Sequence, residues 1–256
     1  MINIYSDKEI EVMREGGKIL AEILKILSKK AKPGITTEYL NKVAEGLIFS
    51  AGKASASGGE IQPSFKGFND YPAALCTSIN EEIVHVIPSK RILKKGDILT
   101  LDLGIRYKGL CTDAAITLPI GKIEAKTKKL ISVTKKSLEI AIKECKPGKH
   151  LGDIGWAVQH YAEKNGLSVI RELVGHGVGK SVHEDPQILN YGQKGEGIEL
   201  KPGMILALEP MIAIGSWRIK RGEDGFSYKM LDNSLCAHFE HTIAITKRGP
   251  KILTKI

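Results

Sequence analysis

The apolar positions of the chain follow two periods. Behind Ser6, which with Glu9 has the spacing of a capping box, Met13, Leu20, Leu24 and Leu27 recur at helical intervals, and Pro33-Gly34 stops the run. A second helix is predicted over 37–49. A third is predicted over 124–143, where Leu130, Val133, Leu138 and Ile142 keep the period, and a fourth over 151–163. Alternating or continuous apolar runs predict strands over 73–78, 98–107, 110–118, 168–172, 204–214 and 238–246. Helices come first and strands later in each half, with no polar linker between the halves. The pattern predicts an α+β fold of antiparallel sheet and helices, arranged as one domain over 1–256.

The chain also repeats itself. Leu93-Lys-Lys-Gly-Asp-Ile-Leu-Thr-Leu-Asp102 aligns with Leu200-Lys-Pro-Gly-Met-Ile-Leu-Ala-Leu-Glu209. Lys32-Pro33-Gly34 answers Lys146-Pro147-Gly148, and His85-Val-Ile-Pro88 answers His183-Glu-Asp-Pro186. Asp113, before Ala-Ala-Ile-Thr, answers Glu240, before His-Thr-Ile-Ala-Ile-Thr. The halves divide near residues 120 and 121. Each supplies a His-x-x-Pro segment, a strand ending in an acid, and a second strand carrying another acid.

These acids predict a site. With Lys108-Gly109 as a two-residue hairpin loop, Asp102 faces Ala115, and Asp113 lies diagonally on the same face, its β-carbon about 5 to 8 Å away. Two such carboxylates on an apolar hairpin repel each other and desolvate poorly. A pseudo-twofold would bring Glu209 and Glu240 to face them, and two divalent cations would compensate four converging carboxylates. His176, in Gly175-His-Gly-Val-Gly179, can add an imidazole between glycines that allow close backbone approach. An oxygen-rich set with one nitrogen favours Mn, Fe(II) or Co. His150, His160, His238 and His241 read as structural, with His241 on the face opposite its neighbour Glu240. Val174-Gly-His-Gly-Val-Gly-Lys-Ser181 is close to a phosphate-binding loop, but Val174 replaces its first glycine and no helical pattern follows.

Composition narrows the partners. Lys plus Arg number 38 and Asp plus Glu 29, a net charge of +9, yet only 5% of residues are aromatic. Stacking platforms for single-stranded nucleic acid are therefore not predicted. Lys126, Lys128, Lys129, Lys135 and Lys136 read as the solvated face of one helix, leaving transient contact with an anionic surface such as a ribosome. Cys76, Cys111, Cys145 and Cys236 are scattered, without a CxxC, as suits a reducing cytoplasm. The first twenty residues carry charges throughout, which predicts no signal peptide. The 204–214 run is broken by Glu209-Pro210 and cannot span a membrane.

The motifs together resemble the bacterial, type I methionine aminopeptidases of the M24 metallopeptidase family, which have the pita-bread fold. They are Cys76-Thr-Ser-Ile-Asn80 through His85-Val-Ile-Pro88, Leu101-Asp102-Leu103 with Thr112-Asp113, Gly175-His-Gly-Val-Gly179 with His183-Glu-Asp-Pro186, Leu208-Glu209-Pro210, and Phe239-Glu240-His241-Thr242. The resemblance spans essentially the whole chain. It implies removal of the initiator methionine from nascent proteins whose second residue is small. It implies that Asp102, Asp113, His176, Glu209 and Glu240 hold two divalent cations (Co, Mn, Fe(II) or Zn), with Asp113 and Glu240 bridging. It makes His85 and His183 substrate-contacting catalytic groups and gives Glu209 a proton-transfer role. It places the methionine pocket at Tyr71 and Cys76 and, by position alone, at Phe65, Phe68, Val182 and Phe226. It further implies a cytoplasmic monomer acting on nascent N-termini. Because Ile2 is not small, the protein's own Met1 is expected to be retained. The rival readings are a proline-specific peptidase of the same fold, a non-catalytic binding protein, and a ribosome- or RNA-binding module.

Overall fold

The computed structural model describes residues 2–54 and 60–255, so Met1 and its retention lie outside the described residues. The helices are α1 (Asp7–Lys30), α2 (Thr37–Ala54), α3 (Ala125–Glu144) and α4 (Leu151–Lys164). The strands of the first half are β1 (Ile61–Pro63), β2 (Leu75–Ile79), β3 (Glu82–Val84), β4 (Ile98–Tyr107) and β5 (Leu110–Pro119). Those of the second half are β6 (Ser168–Val169), β7 (Gly175–Gly177), β8 (Glu184–Ile188), β9 (Ile205–Leu208), β10 (Met211–Ala213), β11 (Ile219–Arg221), β12 (Tyr228–Met230), β13 (Cys236–His238), β14 (His241–Thr246) and β15 (Gly249–Ile252).

The capping box forms as its spacing predicts: the Ser6 hydroxyl accepts from Glu9 N–H, and the Glu9 carboxylate accepts from Ser6 N–H at 2.8 Å. Acids in the first turn and lysines in the last oppose the helix dipole. The apolar stripe of α1, through Met13, Leu20, Leu24 and Leu27, is buried against the β4–β5 hairpin and α2. Truncating one of these leucines to alanine would cost about 2–5 kcal/mol. Lys126, Lys128, Lys129, Lys135 and Lys136 of α3 are exposed.

The β4–β5 hairpin turns at Lys108 and Gly109, both at positive φ (47° and 83°). That is the backbone of a turn whose twist matches the flanking strands. Its register sets Asp102 opposite Ala115 and Gly104 opposite Asp113, as the loop length predicts. β4 is the hub of a four-stranded sheet, with β5 along one edge and β1 and β2 in succession along the other. A five-stranded sheet runs β15-β14-β9-β7-β8, and two three-stranded sheets run β13-β10-β6 and β11-β12-β3.

Two predicted strands are interrupted. The 204–214 run breaks at Glu209-Pro210 into β9 and β10, which join different sheets, and the 238–246 run breaks at Phe239-Glu240 between β13 and β14. Proline offers no N–H to a ladder, so the first break has a local cause. Both breaks fall at an acid of the predicted site. The 168–172 strand is only two residues long, and α2 runs five residues past its predicted end.

Each half has its own apolar cluster. One packs α1 and α2 on β2 and β4; the other packs α3 and α4 on β9 and β14. A third lies between them and includes Tyr5, Met13, Phe65, Tyr71, Cys76, Val182 and Ala207. The halves are stitched where β5 runs antiparallel to residues 238–242. Ala115 and Glu240 exchange both backbone hydrogen bonds. On either side a threonine hydroxyl takes over: Thr242 Oγ1 accepts from Asp113 N–H and donates to Asp113 C=O, and Thr117 Oγ1 does the same for His238.

Candidate active site

The seam gathers the acids. Asp102 and Asp113 come from the hairpin, Glu240 from the residue pairing with Ala115, and Glu209 from the end of β9. His176, in β7, pairs opposite Ala207, two residues before Glu209. Close packing explains the glycines around it: a Cβ at Gly177 would strike the Asp185 carbonyl, and one at Gly175 the Ala207 carbonyl.

All five side chains lie at or below about a tenth exposure. Donor atoms of Asp113, His176 and Glu240 lie within 4.8 Å of one another, and His176 Nε2 is 3.4 Å from Glu209 Oε1. His176 Nδ1 is 2.8 Å from the Gly177 carbonyl. If Nδ1 carries the proton to that acceptor, the Nε2 lone pair faces the acids. One oxygen each of Asp102, Asp113 and Glu240 has no hydrogen-bond partner. Buried carboxylate oxygens left this way are costly unless a cation meets them.

The electrostatics agree. Burial first, then the neighbouring acids, push Asp102, Glu209 and Glu240 well above the usual carboxylate range. Burial raises Asp113 to about 7, opposed by the Ala114 N–H. Burial lowers His176 to about 3 and His85 to about 4, and lowers His183, so all three imidazoles are neutral at pH 7. A buried cluster of acids beside neutral imidazoles has the donors and charge deficit that divalent cations satisfy.

The acids form the floor of a cavity of about 720 Å³. Its wall contains all six residues that the resemblance assigns to the methionine pocket: Phe65, Phe68, Tyr71, Cys76, Val182 and Phe226. Phe226 meets Tyr71 edge-on at 5.7 Å between ring centres. His85 and His183 stand on the same cavity, 6.5 Å apart. His183 packs edge-on against His176 at 4.3 Å and Phe68 at 5.3 Å. His85 has φ +58°, a conformation that favours glycine, and Tyr228 packs against its ring.

His238, read as structural, lies beside the acids. It is 1% exposed, with Nε2 3.7 Å from Glu209 Oε2 and neither ring nitrogen hydrogen-bonded. The signal was available: His238 lies two residues before Glu240, and side chains two apart in extended chain share a face. Three histidines keep the structural reading. His150 caps α4, His160 stacks on Trp156, and His241 turns away to bond Thr254. The near phosphate-binding loop is strand over Gly175–Gly177, with no helix after Ser181.

Residues 11–247 match metallopeptidase family M24. Methionine aminopeptidase 1 of Bacillus subtilis is 46% identical, with both chains covered completely. The methionine aminopeptidase of Aquifex aeolicus is 42% identical over all of this chain and 99% of its own. The solved structure of methionine aminopeptidase from Thermotoga maritima superposes with a TM-score of 0.95 at 44% identity, covering both chains fully. A prolidase from Pyrococcus horikoshii shares the fold, with a TM-score of 0.77 at 22% identity. The match covers 98% of this chain and 63% of that one. The chain therefore belongs to the M24 metallopeptidases of pita-bread fold and, within them, to the methionine aminopeptidases.

Proposed function

We propose that this chain removes the N-terminal methionine from nascent polypeptides whose second residue is small. The observation that carries the reading is the pairing of two surfaces in one cavity: a floor of four buried acids and an imidazole, and an apolar wall of phenylalanines, Tyr71 and Cys76. An unbranched thioether side chain suits such a wall.

Asp102, Asp113, His176, Glu209 and Glu240 would hold two divalent cations. Co, Mn, Fe(II) and Zn are all compatible with this donor set. When bound, the metals supply Lewis-acid polarisation and an activated water. The chain's own groups do the rest. Neutral His183 donates to the carbonyl oxygen as negative charge develops there. His85 hydrogen-bonds the scissile amide and holds it against the floor. Glu209 carries a proton to the departing amine. The apolar part of the wall receives the first side chain.

The described residues act as one catalytic unit, because both halves contribute to the site. No described helix is long and apolar enough to cross a membrane. We place the protein in the cytoplasm as a monomer, meeting nascent chains near the ribosome through weak attraction of its basic surface, without specific nucleic-acid recognition. Met-Gly-Met-type and Gly-Met-type peptides test the reaction after chelation and after readdition of Mn, Fe(II) or Co. Metal-dependent release of methionine from the first peptide alone is expected. Folded, metal-loaded protein that releases none would overturn the reading.

A further inference from the structure

The segment before α1 crosses to residues 180–184, the stretch that carries Val182 and His183 to the cavity. The Tyr5 hydroxyl accepts from Lys180 N–H at 2.9 Å and donates toward the Glu184 carboxylate, whose oxygens lie 2.9 and 2.8 Å away. Asn3 Nδ2 donates to the same carboxylate at 2.8 Å, and Ser181 N–H does so at 2.9 Å. One phenolic oxygen thus fastens both ends of a five-residue stretch.

The seat is built for that oxygen. Tyr5 is 4% exposed, and its own N–H donates to the Gly203 carbonyl at 2.8 Å. A Cβ at Gly179 would run into the Tyr5 hydroxyl and ring, so glycine is needed there for the phenol to reach Lys180. Arg106 Nη1 holds the Lys180 carbonyl from the other side at 2.9 Å. Without the phenolic oxygen, the Lys180 N–H would lose its partner and Glu184 one of its donors. A partly buried donor left unpaired either costs stability or shifts the backbone that carries it.

We propose that Tyr5 is a positioning residue for His183: its hydroxyl, with Asn3, ties the N-terminal segment to Lys180 and Glu184 and so sets where the His183 imidazole stands over the cavity floor. The proposal rests on the reading of His183 as the donor to the substrate carbonyl. Tyr5 itself touches neither substrate nor the acids. Misplacing a catalytic donor by about 1 Å can cost on the order of a hundredfold in rate, and partial loss of the tie predicts a smaller effect.

The test compares Tyr5→Phe, which keeps the ring and removes the oxygen, with Asn3→Ala in the metal-loaded enzyme. Tyr5→Phe is expected to lower kcat about tenfold with KM within about twofold, and to leave calorimetric Mn affinity unchanged. Asn3→Ala, which leaves the phenol in place, should do the same to a lesser degree. Amide hydrogen exchange at Lys180 and Ser181 should quicken at least tenfold in Tyr5→Phe. A lower Tm with wild-type kcat, or unchanged exchange at these amides, would show a mere staple and overturn the proposal. If Tyr5→Phe does not fold, Asn3→Ala decides by the same two readouts. The exchange readout needs no substrate. If wild-type protein releases no methionine, that reading fails separately and the tie is still judged by exchange.

Discussion

At the residue scale, the site depends on imidazoles that burial keeps uncharged. His85 and His183 are neutral at pH 7 because burial disfavours their charged forms. Each therefore keeps one N–H to donate and one lone pair. Alanine at either position removes a donor from the cavity without touching the acids. His85→Ala and His183→Ala are expected to lower kcat/KM by a factor of about 10²–10⁴. Mn affinity, measured by calorimetry, should stay within about threefold of wild type. Joint loss of turnover and metal would place these histidines in the metal shell instead. His238, whose sequence pattern reads as structural, belongs to the same scale because its ring stands beside Glu209. Its place on the strand face was readable, but its 3.7 Å approach to Glu209 was not, because β9 and β13 lie in different sheets.

At the element scale, sequence and structure agree where local physics decides. The β4–β5 hairpin, its turn and its register were legible because a two-residue loop with a left-handed glycine leaves little choice. The start of α1 was legible because Ser6 and Glu9 satisfy each other's backbone N–H groups. Ser6→Ala should cost about 1 kcal/mol, a fall in Tm of about 2–4 °C for a chain of this size. The hydrogen bond from Ser6 N–H and, after it, the one from the Ser6 hydroxyl at 2.7 Å, which alanine removes, hold the Glu9 carboxyl below its usual range. A carboxyl depressed on folding adds stability above its unfolded value, near pH 4.3. That contribution disappears as pH falls through the folded value. The Tm difference between wild type and Ser6→Ala should therefore narrow in acid; thermal melts between pH 3 and 7 check this. The elements misjudged from sequence were the long strands after 204 and 238. Their apolar runs are continuous, but the seam bends both at an acid.

At the scale of the whole molecule, the four acids set the response to metal. In metal-free protein their pKa values are raised on folding, so the folded state holds more protons than the unfolded one above about pH 4. Stability must then fall as pH rises from about 4 through the folded values, one of which is about 7. Cations that bind only the folded chain reverse this by mass action. Chelated protein is expected to lose Tm steadily between pH 5 and 8. Mn- or Co-loaded protein should hold or gain Tm over the same range. Parallel curves for the two forms would mean that the acids do not form the metal site.

The sequence by itself determined the helices, the central hairpin, the twofold repetition of its acids, and a family resemblance carried by short motifs. These are local or repeated signals, set by periodicity, turn chemistry and residue type. Only the tertiary structure decided how the repeats meet. Ala115 pairs with Glu240 across the seam, threonine hydroxyls continue the ladder, and Tyr5 reaches Lys180 and Glu184 from the far end of the chain. Such contacts join residues more than a hundred positions apart, and nothing in a local pattern specifies their distances. Burial follows from them, and burial turns four ordinary acids into a cluster that calls for metal.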